Sequence, residues 1–147
     1  MTVRFQLVID CADPDRLTRF WSTALGYQVP PPPEGFDSWR AYWVKVGVPD
    51  EELDDGNDSL VDPEGAGPRI WFQKVPEGKA GKNRLHLDID ASGGRTVPID
   101  IRRQRVVAEA ERLIAAGATR VRVLEEEGLD HYGETMRDPE GNEFCIH

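Results

Sequence analysis

Apolar and polar positions alternate with period two over residues 3–10, 69–75, 84–90, 120–124, 134–138 and 142–147, the pattern of strands with one face buried. In the first of these Phe5, Leu7 and Ile9 share one face, and Gln6, Val8 and Asp10 share the other. In the third, Leu85, Leu87 and Ile89 oppose His86, Asp88 and Asp90; in the last, Phe144 and Ile146 oppose Glu143, Cys145 and His147. Two stretches repeat with the helical period instead. Leu17, Phe20, Trp21, Ala24 and Leu25 follow an Asp13-Pro14 start and end at Gly26; Val106, Val107, Ala110, Leu113 and Ile114 end at Gly117. Asp before Pro predicts an N-cap with proline at the first helical position, where its missing N–H costs nothing, and Gly predicts the C-terminal stop. The aromatic and β-branched residues of 39–46 predict a further strand.

Between these elements, prolines at 30–33 read as a stiff edge or loop, and the acidic, Gly- and Pro-rich residues 49–68 as an exposed connection. Asp-Pro-Glu-Gly occurs twice, at 62–65 and 138–141, each time just before the last strand of a half-chain. Each half reads strand, helix ending in Gly, three strands. The matching order implies a duplicated unit: an α+β domain over residues 1–147, built of units 1–76 and 83–147 joined by 77–82.

Length and composition narrow the function. The 147 residues, 39% hydrophobic, suffice for a core without staples. No apolar run approaches the roughly 20 residues that span a bilayer, and the N-terminus lacks a signal-peptide pattern, so a cytoplasmic protein with no membrane partner is expected. A net charge of -9 opposes nucleic-acid binding. Cys11 and Cys145 are too few for a disulfide framework and form no CxxC pair.

The segments Asp13-Pro14, Phe20-Trp21-Ser22-Thr23-Ala24-Leu25-Gly26, Phe72-Gln73-Lys74-Val75-Pro76-Glu77, Asn83-Arg84-Leu85-His86-Leu87-Asp88 and Asp138-Pro139-Glu140-Gly141-Asn142-Glu143-Phe144-Cys145 make the whole chain resemble the vicinal oxygen chelate superfamily, in its glyoxalase-like branch (glyoxalase, bleomycin resistance protein, dioxygenase). That resemblance implies two tandem βαβββ units forming a curved mixed sheet, helices on the convex face, around an open cavity. In metal-dependent members the first and last strand of each unit supply ligands. Carried onto this sequence, those positions are Gln6, Gln73, His86 and Cys145, and the alternation places all four opposite the helix-facing residues.

As ligands the four are unequal. His86 is a strong neutral donor; Gln6 and Gln73 offer weak amide oxygens, and Cys145 stands where the resemblance expects a carboxylate. The site therefore reads as degenerate, with zinc, nickel, iron or manganese as the divalent ions to consider. Trp71, on the face of Gln73, would add an aromatic wall, and His131 and Tyr132 precede the penultimate strand at the cavity mouth. The sequence thus implies a protein that binds a small organic molecule around Gln6, Gln73, Trp71, His86, Cys145, His131 and Tyr132, with His86 the candidate catalytic acid or base. Two alternatives stand beside it: a metal-dependent lyase, isomerase or dioxygenase, and a metal-free drug-sequestering protein like the bleomycin-binding relatives. Whether the chain is an enzyme stays open at this point. The resemblance also implies a homodimer.

Overall fold

The computed structural model describes residues 2–53 and 56–147; Asp54 and Asp55, part of the loop expected over residues 49–68, lie outside the described residues. The chain is α+β. Its contacts divide it into two compact units, Met1–Ser22 with Gly26–Pro76 and Thr23–Leu25 with Glu77–His147, and each holds a mixed sheet. No helix among the described residues is long and apolar enough to cross a membrane.

In unit one, β1 (Gln6–Cys11) runs parallel to β3 (Arg69–Lys74), pairing Leu7 with Ile70 and Ile9 with Phe72, while β2 (Ser59–Leu60) lies antiparallel on the other side of β3. Ile70, Phe72 and Leu60 are buried, as are Leu17, Phe20 and Trp21 of α1 (Pro14–Leu25). The ends of α1 follow from its sequence. Asp13 Oδ1 accepts the Arg16 N–H at 3.0 Å, Pro14 takes the first helical position, and Gly26 closes the helix at φ 70°.

One expected strand is a helix. Trp39–Val46 forms α2, with Ser38 Oγ accepting the Ala41 N–H at 3.1 Å and Gly47 left-handed at φ 87°. Strand propensity of aromatic residues reflects fit to a half-buried surface rather than a backbone preference, and here two good caps and helical spacing outweigh it. A strand would send Trp39 and Tyr42 to opposite faces; in the helix Trp39, Tyr42 and Trp43 gather, with ring centroids 5.0–5.9 Å apart. The βαβββ order survives because Gln28 supplies the second strand position as a single antiparallel bridge to Val61, and α2 is inserted after it.

Unit two has β4 (Asp88–Ile89), α3 (Ile99–Ala115), β5 (Thr119–Leu124), β6 (Gly133–Arg137) and β7 (Glu143–Ile146), in the sheet order β4-β7-β6-β5. As in unit one, first and last strands are parallel. Val106, Ala110 and Leu113 of α3 are buried, as are Met136, Phe144 and Ile146 of the sheet. The strand expected over residues 84–90 is much shorter than the alternation suggests. Pairing with β7 begins only at Leu87, whose carbonyl accepts the Cys145 N–H at 2.9 Å, and Leu85 is 82% exposed. Alternation specifies faces only where a neighbouring strand supplies a ladder, and residues 84–86 have none.

The two Asp-Pro-Glu-Gly turns are built alike. The Asp62 and Asp138 carbonyls accept the Gly65 and Gly141 N–H groups at 3.0 and 2.9 Å, and their side chains accept the Glu64 and Glu140 N–H groups at 2.9 Å each. Backbone N–H groups of Glu64, Gly67 and Ala66 hold the Asp62 carboxyl below the ordinary carboxylate range. A carboxyl more acidic in the folded state contributes stability above its unfolded pKa, lost as pH falls through the lowered folded value. Asp62→Ala is therefore expected to melt below the wild type at neutral pH yet to lose less on acidification. Parallel acid limbs of Tm against pH in the two proteins would contradict this.

Candidate functional site

The register of unit two assembles a polar row across three strands. Asp88 of β4 is the partner of Cys145 on β7, and Cys145 is the partner of Thr135 on β6. Pleating sends the three side chains to one face, opposite buried Phe144 and Ile146. They line a cavity of about 490 Å³ with His86, His131 and Arg122 on its walls.

His86 joins the row because it stands just outside the ladder. Two residues apart on one strand face, an imidazole and a carboxylate are poorly placed to bond; before β4 the chain is irregular, and His86 Nε2 approaches Asp88 Oδ1 to 3.3 Å. Thr135 Oγ1 lies 3.6 Å from Cys145 Sγ. The donor atoms of His86, Asp88 and Cys145 all lie within 4.8 Å of one another. With both members of the His86–Asp88 pair about half exposed, the interaction contributes under about 1 kcal/mol to stability.

Its chemistry fits a divalent ion. Imidazole, carboxylate and thiolate are zinc's usual donors, at about 2.0–2.3 Å, and all three side chains line the cavity. Three protein ligands would leave a fourth position for substrate or water. Asp88 supplies the hard anionic oxygen that the sequence reading found missing at Cys145.

The remaining side chains have surroundings of their own. Tyr132 is buried, its hydroxyl donating to Glu134 Oε1 at 3.2 Å and its ring lying under Arg103, 5.4 Å from guanidinium carbon to centroid. Burial, with the nearby Glu134 charge, pushes its phenol upward. Asp90, on the expected face of His86, is taken up by the following loop. It accepts the Ser92 and Gly93 N–H groups at 3.1 and 3.2 Å, and the Gly93 bond foremost lowers its pKa. Lys82, a wall of the cavity, pairs with Glu143 and holds that carboxyl below its ordinary value. In unit one, Gln6 and Trp71 line a separate pocket of about 370 Å³, where Gln6 Oε1 accepts from Arg69 Nη1 at 3.1 Å. Gln73 pairs across β1 with Asp10 and is exposed outside the lining of that pocket. Thr135 is the wall residue that the sequence reading missed; period-two alternation through β6, placing it opposite Glu134, was the available signal.

Comparison with known proteins supplies the family. The family described as Glyoxalase-like domain matches residues 6–147. This chain belongs to it. Solved structures agree with that fold: a glyoxalase/bleomycin resistance protein/dioxygenase family enzyme from Burkholderia phytofirmans PsJN is 18% identical, with a TM-score of 0.58 over 96% of this chain and 94% of its own. The fosfomycin resistance protein FosX from Listeria monocytogenes, in complex with Mn(II) and 1S,2S-dihydroxypropylphosphonic acid, is 11% identical with a TM-score of 0.61 over 100% and 90%. A hypothetical protein from S. aureus is 13% identical, with a TM-score of 0.55 over 99% and 96%. No curated protein matches by sequence. Of the four ligand positions that the resemblance implies, Gln6, Gln73, His86 and Cys145, the polar row of unit two holds His86 and Cys145 and adds Asp88.

Proposed function

We propose that this glyoxalase-like domain binds a small, oxygen-rich organic molecule in the unit-two cavity together with a divalent ion held by His86, Asp88 and Cys145, and that zinc is the ion its donors suit best. The observation carrying this reading is the convergence of three chemically different metal donors within 4.8 Å on one cavity wall. A cavity of about 490 Å³ is of the size that takes small metabolites and drugs. A bound ion would act as a Lewis acid toward vicinal oxygens of the ligand. The chain's own groups then divide the remaining work: Thr135 holds the Cys145 sulfur, Arg122 faces anionic parts of the ligand, and His131 is the cavity group available to exchange a proton. The chemistry proposed is that of a lyase or isomerase. The Mn(II) and vicinal diol in the FosX complex support a metal-and-diol pairing on this fold.

Metal analysis tests the reading. Protein loaded with zinc and desalted is expected to retain one ion per chain, and His86→Ala, Asp88→Asn and Cys145→Ser are each expected to weaken binding at least about tenfold. Uptake should release protons and fall at acid pH, because all three donors bind deprotonated. Retention of ion by the triple variant, or no retention by the wild type, would sink the proposal. A small molecule that binds the metal-free protein with undiminished affinity would instead favour sequestration.

A further inference from the structure

The insertion of α2 builds a pocket in unit one that the metal reading does not use. Trp39 and Trp43, four residues apart, stack with centroids 5.4 Å apart and planes 26° from parallel. Trp71 of β3 joins them in lining about 370 Å³ with Gln6, Asp58 and Arg69. Most polar groups of this pocket already bond one another. The indole N–H groups of Trp39 and Trp71 are already given to Pro30 O at 2.8 Å and Asp58 Oδ2 at 3.0 Å, which leaves those two rings with only their faces and edges to offer. The other Asp58 oxygen accepts the Ser59 hydroxyl at 2.8 Å, and the Gln6 carbonyl oxygen accepts from Arg69. The free donors are the Gln6 amide N–H groups and the unused N–H groups of Arg69, while each Asp58 oxygen and the Gln6 carbonyl oxygen already accept one hydrogen bond.

Arg69 is the decisive group. Its guanidinium donates to two neutral oxygens, Gln6 Oε1 at 3.1 Å and Ser59 Oγ at 2.8 Å, and it forms no ion pair among the described residues. Two side chains from separate strands thus hold a cation in place without neutralising it, beside a wall of tryptophan. A guanidinium so fixed matches a carboxylate, which it binds as a planar fork, and flat indole faces match a flat ring.

We infer that this pocket is a binding site for a planar aromatic carboxylate, whose ring packs on Trp43 and Trp71 and whose carboxylate meets Arg69 and the Gln6 amide. The site belongs to unit one and stands whether or not unit two holds a metal. Asp58 carries a negative charge of its own, but each of its oxygens already takes a donor of the pocket wall, Trp71 Nε1 or Ser59 Oγ, whereas Arg69 directly contacts only neutral oxygens and keeps N–H groups free for the ligand.

The test uses the full chain and 2-naphthoate as probe, read by calorimetry and tryptophan fluorescence. Saturable binding at one molecule per chain is expected, weakened about tenfold or more by Arg69→Met and by Trp43→Leu. Trp43→Leu should fold normally, because α2 has no buried residue, and circular dichroism checks this. The charge preference is read with 2-naphthylmethylammonium and the ring preference with cyclohexanecarboxylate, both expected to bind at least tenfold more weakly. Equal or tighter binding of the cation, indifference to both substitutions, or no binding of the naphthoate would overturn the assignment.

Discussion

Arg120→Met is expected to destabilise the protein by about 3 kcal/mol or more, a fall of roughly 6–12 °C in Tm for a chain of this size. The reason lies in β6, where the Glu134 side chain is 1% exposed. Arg120 Nε donates to Glu134 Oε2 at 2.6 Å, and the Tyr132 hydroxyl donates to Oε1 at 3.2 Å. The Arg120 Nη2 atom also reaches Glu111 at 2.9 Å, and its bonds to Glu134 and Glu111 raise its already high pKa. Removing the guanidinium leaves a buried carboxylate with one neutral donor, which costs far more than the intact pair contributes. Changing Glu134→Gln in the Arg120→Met background is accordingly expected to recover more than half of the loss, because it removes the orphaned charge and keeps the volume. Thermal melts of the two single variants and the double variant read this cycle. A single Arg120→Met variant melting within about 2 °C of wild type would show that Glu134 finds other relief.

Arg102→Met should loosen the loop that carries His131 into the unit-two cavity. Arg102 lies on α3 with a side chain only 7% exposed. Its Nε donates to the Val97 carbonyl at 2.8 Å, Nη1 to the Asp130 carbonyl at 3.3 Å, and Nη2 to the Asp130 carboxylate. One guanidinium therefore holds the loop before α3 and the loop before β6 at once. Methionine keeps the buried stem and discards all three bonds. A loss of about 2–3 kcal/mol follows from charged hydrogen bonds of this kind, with faster amide exchange in residues 128–132. Arg102→Lys should restore little, since a single ammonium cannot reproduce the fork that reaches both loops. Unchanged exchange there in Arg102→Met would mean that Arg102 is not what orders His131.

Much of this fold was legible from local signals. Asp13, Pro14 and Gly26 delimit α1 through hydrogen bonds to residues three or four positions away, and the two Asp-Pro-Glu-Gly turns close on themselves. The faces of β3 and β7 followed from alternation because both strands pair on two sides. Where local signals conflicted, the reading failed. Aromatic content favours a strand at Trp39–Val46, while the caps Ser38 and Gly47 decide it as a helix. Alternation over residues 84–90 promised a strand that only Asp88 and Ile89 complete.

The candidate site divides along the same line. Sequence alone determined that Cys145 opposes Phe144 and Ile146, because side-chain direction within a paired strand follows the local backbone period. It could not determine that Asp88 faces Cys145, that Thr135 flanks it on the next strand, or that His86 leaves the ladder to meet Asp88. Those are matters of register and of where pairing stops, set by contacts between residues some ten to sixty positions apart that leave no mark on either segment by itself. For the same reason the Arg120–Glu134 pair and the tryptophan pocket of unit one came from tertiary structure alone: each is a property of neighbours that the folded chain selects.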